Sequence, residues 1–143
     1  MTGDDFLKLA EKFCADPRQH NEALCRTIVS RAYYGAFHLA RDFVVRLGFP
    51  QPSERKVLSD WLVSSGEPSV IRAGDILSDL ATARNRADYD LAIPKVVKQV
   101  QDVQYLRQTL EQALSVKDLL RQAAAEQSQI VARQGIAKYW ASQ

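Results

Sequence analysis

Apolar residues recur at three- and four-residue steps along almost the whole chain, a period that suits helix and little else. Nothing competes with it. The sequence has no Asn-Gly or Asp-Gly hairpin turn, and β-branched runs such as Val44-Val45 are short. The expected fold class is therefore all-α. The spacing predicts a first helix from Asp4 or Asp5 to Ala15, with Phe6, Leu9, Ala10 and Phe13 on one stripe and two aspartates at its positive end. Asp16-Pro17 stops it. A long second helix should start at Pro17 or Asn21 and run to Leu47, closing at Gly48. Ser53 is the expected N-cap of a short third helix from Glu54 to Val63. A fourth should span Pro68 to Tyr89, with Ile76, Leu77, Leu80 and Ala81 turned inward.

From Pro94 the helical period continues through Val96, Val100, Leu106 and Leu114 almost to the end. Unbroken to Trp140, that helix would be about 70 Å long at ~1.5 Å per residue, far longer than the rest of the bundle. Such a length demands a break or a partner. Ser115-Val-Lys-Asp, which has the shape of a capping box, and Gly135 are the expected weak points. The predicted organisation is a helical bundle over residues 1–115. Residues 116–143 would form a helical extension, either part of the same domain or a partner-binding arm. Ile130, Ile136, Tyr139 and Trp140 would give that arm an apolar surface in search of a partner.

A chain of 143 residues, 46% apolar and 25% charged, can bury one core but not comfortably two. No apolar run is long enough to span a bilayer, and the acidic start Met1-Thr-Gly-Asp-Asp lacks the order of a signal peptide. Cys14 and Cys25 have no CxxC spacing, which points to reduced thiols in the cytoplasm; a disulfide between neighbouring helices is the alternative. With His20 and His38 isolated as well, no metal-ligand spacing exists, and no Gly-rich phosphate loop suggests a nucleotide cofactor. The net charge of +2 does not by itself call for a nucleic-acid partner. The arginines are nevertheless grouped: Arg26, Arg31, Arg41 and Arg46 in one segment, Arg72, Arg84 and Arg86 in another. Such groups either bind phosphate or form solvated helix faces.

Two segments carry the chemistry. In Ser30-Arg-Ala-Tyr-Tyr-Gly-Ala-Phe-His, the residues Arg31, Tyr34 or Gly35, and His38 stack on one side of a helix, and Gly35 suggests a second backbone close by. Either the tyrosines and His38 are core residues with satisfied polar ends, or Arg31 and His38 open onto a pocket or interface. In Arg84-Asn-Arg-Ala-Asp-Tyr-Asp, Arg84 and Asp88 are spaced to pair along the helix. Arg84, Asn85 and Tyr89 at a helix end are equally suited to grip a phosphate or a base.

Together, about fifty residues apart and in this helix order, the two segments resemble the HEPN family over roughly residues 5–115. The first motif is similar to that of the small stand-alone bacterial and archaeal members. The resemblance implies an up-and-down bundle of four or five helices, usually homodimeric, with the motif helices near the two-fold axis. It also implies RNA as the substrate class. Many relatives are paired with a minimal nucleotidyltransferase as toxin and antitoxin. Active members place a His a few positions after the motif Arg and cut RNA without metal, the Arg steadying the scissile phosphate while the His assists the 2′-hydroxyl or the leaving oxygen. Carried onto this chain, the Arg is Arg84 and the polar residue Asn85, but Tyr89 stands where the His falls. A tyrosine with a pKa near ~10 is a poor base at neutral pH, although it can donate a proton or bind a phosphate. His38 is a candidate substitute, and Arg31, Tyr34, Arg86 and Asp88 are candidate RNA contacts. A non-enzymatic dimeric module that partners a nucleotidyltransferase or another protein is the main alternative. A nucleotide-binding accessory using Arg31 and Arg84 is a third reading.

Overall fold

The computed structural model describes all 143 residues and is all-helical. Seven α-helices follow in order: α1 Gly3–Cys14, α2 Glu22–Arg46, α3 Arg55–Val63, α4 Pro68–Tyr89, α5 Pro94–Val100, α6 Val103–Gln122 and α7 Glu126–Ala141. The bundle proper is made by α1, α2, α4 and α6. Gly3 lies against Leu39, Arg26 against Ala87, and Arg86 lines the same hollow as Tyr105, so successive bundle helices run up and down. The shorter helices α3 and α5 and the C-terminal helix α7 are added to this four-helix bundle, α7 being the expected helical extension.

Local chemistry explains most boundaries. Thr2 caps α1 by a reciprocal pair, in which its hydroxyl accepts the Asp5 N–H and the Asp5 carboxylate accepts the Thr2 N–H. Those bonds hold the Asp5 carboxyl below its ordinary pKa. Asn21, not Pro17, starts α2 by accepting the Leu24 N–H; Pro17–Gln19 forms a separate 3-10 turn. The third helix begins at Arg55, and Ser53 supplies no cap. In the C-terminal third, the breaks are not at Ser115 or Gly135. Asp102 accepts the Gln104 and Tyr105 N–H groups and so starts α6, which then runs through Ser115 to Gln122. There the apolar period is uninterrupted, Val116 and Leu120 both being buried, and packing overrides the weaker capping signal.

The core follows α2. Tyr33, Phe43, Trp61, Leu62, Leu77 and Val116 are buried in its larger part, together with Ala132 and Ile136 of α7. Cys14, Cys25, Ile28, Val29, Val100 and Leu106 form a smaller part at the other end. Both cysteines there are free thiols, pushed up in pKa by burial. Two glycines permit close approaches. A Cβ on Gly35 would strike Leu7 and crowd the Gly3 carbonyl, so α1 and α2 touch backbone to backbone as the sequence suggested. A Cβ on Gly135 would strike the Ser65 carbonyl, so α7 lies directly on the α3–α4 turn. Its apolar residues are thereby used within the chain. Ile136 is fully buried, and Trp140, still 43% exposed, packs edge-on against Trp61 (5.3 Å) and Phe49 (5.6 Å), so the apolar surface expected there is partly covered within the chain.

One arginine fixes the C-terminal end of α4. Arg26 is 8% exposed and donates to the carbonyls of Ala87 (2.8 Å), Asp90 (3.2 Å) and Arg86 (3.3 Å), while pairing with Glu22 (3.1 Å). It therefore satisfies the C-terminal carbonyls of α4 from a neighbouring helix and does not face solvent, as a phosphate ligand would have to. Arg26→Met should cost about 2–3 kcal/mol, since charged hydrogen bonds are lost and buried carbonyls are left without partners. Urea denaturation checks this; a loss below about 0.5 kcal/mol would contradict it.

Candidate functional site

Tyr34 projects from the middle of α2 toward the C-terminal half of α4. Its hydroxyl oxygen accepts hydrogen bonds from two guanidinium groups, Arg84 Nη2 at 2.8 Å and Arg55 Nη2 at 2.9 Å. Both cations also lie over the Tyr34 ring, 5.4 Å and 5.3 Å from its centroid. One phenol thus joins three helices, α2, α3 and α4.

Arg84 is the rigid member of the pair. It is 7% exposed, and its Nη1 donates to Asn85 Oδ1 at 3.1 Å. Helical spacing brings Asp88 Oδ2 to 2.8 Å from its Nε, at an angle that leaves this N–H without a true hydrogen bond. The sequence pair is therefore a half-buried ion contact, not a solvated surface one. Burial opposes the charge on Arg84, but Tyr34, Asp88 and Tyr89 outweigh it and hold its pKa above the ordinary value. Arg55 differs: it is exposed and pairs with no carboxylate.

Beside these groups lies an open cleft of about 450 Å³ between α3 and α4. Arg84, Arg55 and Lys56 line it, with Asn85, Ser59 and the buried Tyr33 among the other walls. Asp60 is the cleft's acidic residue, so three cations face one anion in a chain that is nearly neutral overall. Guanidinium N–H groups, an amide and a hydroxyl in a concave, positive site form a donor set suited to phosphate oxygens. No group of three or more His, Cys, Asp or Glu is placed to hold a metal ion.

The candidate residues from the sequence divide into two sets. Arg84, Asn85, Asp88, Tyr34 and Tyr89 come together. Tyr89, the last residue of α4, is 69% exposed, with the Arg84 guanidinium 5.5 Å from its ring centroid. His38, Arg31 and Arg86 do not join them. His38 lies on the outer face of α2, stacked on Phe6 at 5.2 Å and edge-on to Phe37 at 5.4 Å, with no hydrogen bond. Its one link to the site is the Tyr34 ring, 6.4 Å away. Arg31 lies over the Phe6 ring on the same outer face. Arg86, two positions beyond Arg84, is carried to another side of α4 and lines a hollow with Tyr105 and Thr109.

Arg55, Lys56 and Ser59 were not singled out in the sequence. A signal existed: α3 opens with two basic residues and no acid in its first turn, against the preference of a helix N-terminus. Charges placed at some electrostatic cost are candidates for function.

No protein-family model matches the chain, and no solved structure matches it. An uncharacterised protein of Methanocaldococcus jannaschii is 24% identical over 159 residues, spanning 96% of this chain and 86% of the archaeal one. That likeness runs the length of both chains and brings no activity with it.

His38 gives the fold a measurable pH signature. Burial lowers its pKa, the Arg41 charge lowers it further, and Asp42 opposes them. The unfolded chain therefore takes the proton first, at ~6.5, and stability falls as pH drops from there until the folded-state value is passed. The urea midpoint of the wild type should decline over this window, and His38→Gln should decline less. Identical slopes would show that His38 is not desolvated.

Proposed function

We propose that this chain is a HEPN-type protein of the toxin–antitoxin or defence kind that binds RNA through its backbone phosphates, with a cleavage function that has degenerated. The observation that carries the reading is the doubly hydrogen-bonded Tyr34 hydroxyl, which holds Arg84 and Arg55 at the edge of a cationic cleft. Arg84 and Asn85 are the residues on which the HEPN resemblance places phosphate contact, and they share that cleft. The degenerate part of the proposal rests on what surrounds Arg84. Its neighbours are Tyr34, Asn85, Asp88 and Tyr89, and no imidazole is among them. Tyr89 stands where the resemblance places the His, and a phenol is a poorer general base than an imidazole. Ribose attack would then have to proceed without an efficient general base, which typically supplies a factor of about 10²–10⁴.

A second reading has one observation of its own. Phe6, Phe37 and His38 are half-buried side chains on the outer face of α1 and α2, beneath the unpaired Arg31 and Arg41. A face of that character suits a homodimer contact, and the HEPN resemblance implies one. It would equally suit a scaffold for a nucleotidyltransferase partner. Light scattering at micromolar concentration should then report twice the 16.1 kDa chain mass, and a mass of one chain would remove the dimer.

The principal test is fluorescence anisotropy with labelled RNA in EDTA-containing buffer over a salt series. Wild type should bind with a salt-dependent affinity, and Arg84→Ala and Arg55→Ala should each weaken binding and lower the salt slope by about 1. A gel assay on the same samples should show little or no cleavage. Absence of binding by wild type would contradict the RNA reading, and rapid cleavage abolished by Arg84→Ala would contradict the degenerate part.

A further inference from the structure

We infer that Tyr89 is a nucleobase-stacking platform, and hence that the RNA held at the Arg84–Arg55 cleft is single-stranded. The inference rests on the phosphate-binding reading of that cleft.

Three observations carry it. First, the Tyr89 ring is 69% exposed although the Arg84 guanidinium lies over it at 5.5 Å, so the ring is supported by the site's central cation while a large part of it stays open to solvent. Its phenol makes no hydrogen bond within the chain, so nothing ties the hydroxyl to a structural role. Second, the chain continues into Leu91 and Ile93, 62% and 47% exposed. Three of the seven large apolar side chains left exposed thus fall within five residues, in the stretch of chain that follows the cleft-lining Arg84 and Asn85. Third, Arg26 bonds the carbonyls of Arg86, Ala87 and Asp90 on both sides of Tyr89, so the backbone beneath the ring is fixed before any ligand arrives.

An open aromatic face next to paired guanidinium groups matches the two halves of a nucleotide. The phosphate meets the cations and the base covers the ring. Only an unstacked base has a free face to offer, and duplex RNA keeps its bases stacked. Stacking is also tolerant of sequence, because every base has a π-face. The ring of Tyr89, not its hydroxyl, is then the working part. This separates the inference from any role of Tyr89 as proton donor.

The experiment uses the full chain in EDTA-containing buffer with a short RNA oligonucleotide carrying 2-aminopurine, read by anisotropy and by quenching of the base. Because Tyr89 is exposed, its variants should keep wild-type helicity by circular dichroism. Tyr89→Phe should bind within about twofold of wild type and keep the quenching. Tyr89→Ala should bind about tenfold more weakly and lose the quenching, with an unchanged salt slope because no phosphate contact is removed. A duplex of the same sequence should be insensitive to Tyr89→Ala. Unchanged affinity in Tyr89→Ala, or Tyr89→Phe as weak as Tyr89→Ala, would overturn the platform; the effect of Arg84→Ala would still decide the phosphate reading separately. Wild type that binds no RNA would overturn both.

Discussion

Two guanidinium groups sharing one phenol oxygen is the interaction on which the rest of this site depends. Like charges do not settle side by side without a common acceptor, and the Tyr34 hydroxyl is that acceptor for Arg84 and Arg55. Through it α2 is tied to α4 and to the first turn of α3. The two arginines it holds are, with Lys56, the cations that make the cleft between α3 and α4 positive. Gly35, the next residue, lets α1 close onto α2 without a side chain between them.

The second constraint acts at the end of α4. A helix terminus leaves carbonyls without partners, and here Arg26 fills them from α2. A buried cation thus holds the turn that carries Arg84, Asp88 and Tyr89. The two arginines divide the work: Arg26 is spent on backbone, and Arg84 presents part of its guanidinium to the cleft.

Much of this was legible from the residues. Pro68 at the first turn and the Asp90–Pro94 turn mark α4 without ambiguity, and the helix spans Pro68–Tyr89 as the spacing predicts. Arg84 and Tyr34 stood out by their local patterns and meet in the structure. Arg55 did not, because its partner Tyr34 is 21 residues away on a separate helix and no periodicity links them. Arg26 and Arg84 look alike in the sequence, and only tertiary packing sends one to backbone carbonyls and the other to a cleft. The breaks near Asp102 and Ala123 were missed for a similar reason. Ser115 offered a cap in sequence, but the apolar stripe through Val116 and Leu120 was already committed to the core.

The central claim is that Tyr34 organises the two arginines into one binding unit. A double-mutant cycle on single-stranded RNA affinity, using Tyr34→Phe, Arg55→Ala and the combined variant, measures that directly. If the phenol positions Arg55, the two losses overlap and the coupling is about 1 kcal/mol or more. Strictly additive losses would show that the arginines act without the tyrosine, and would contradict the account.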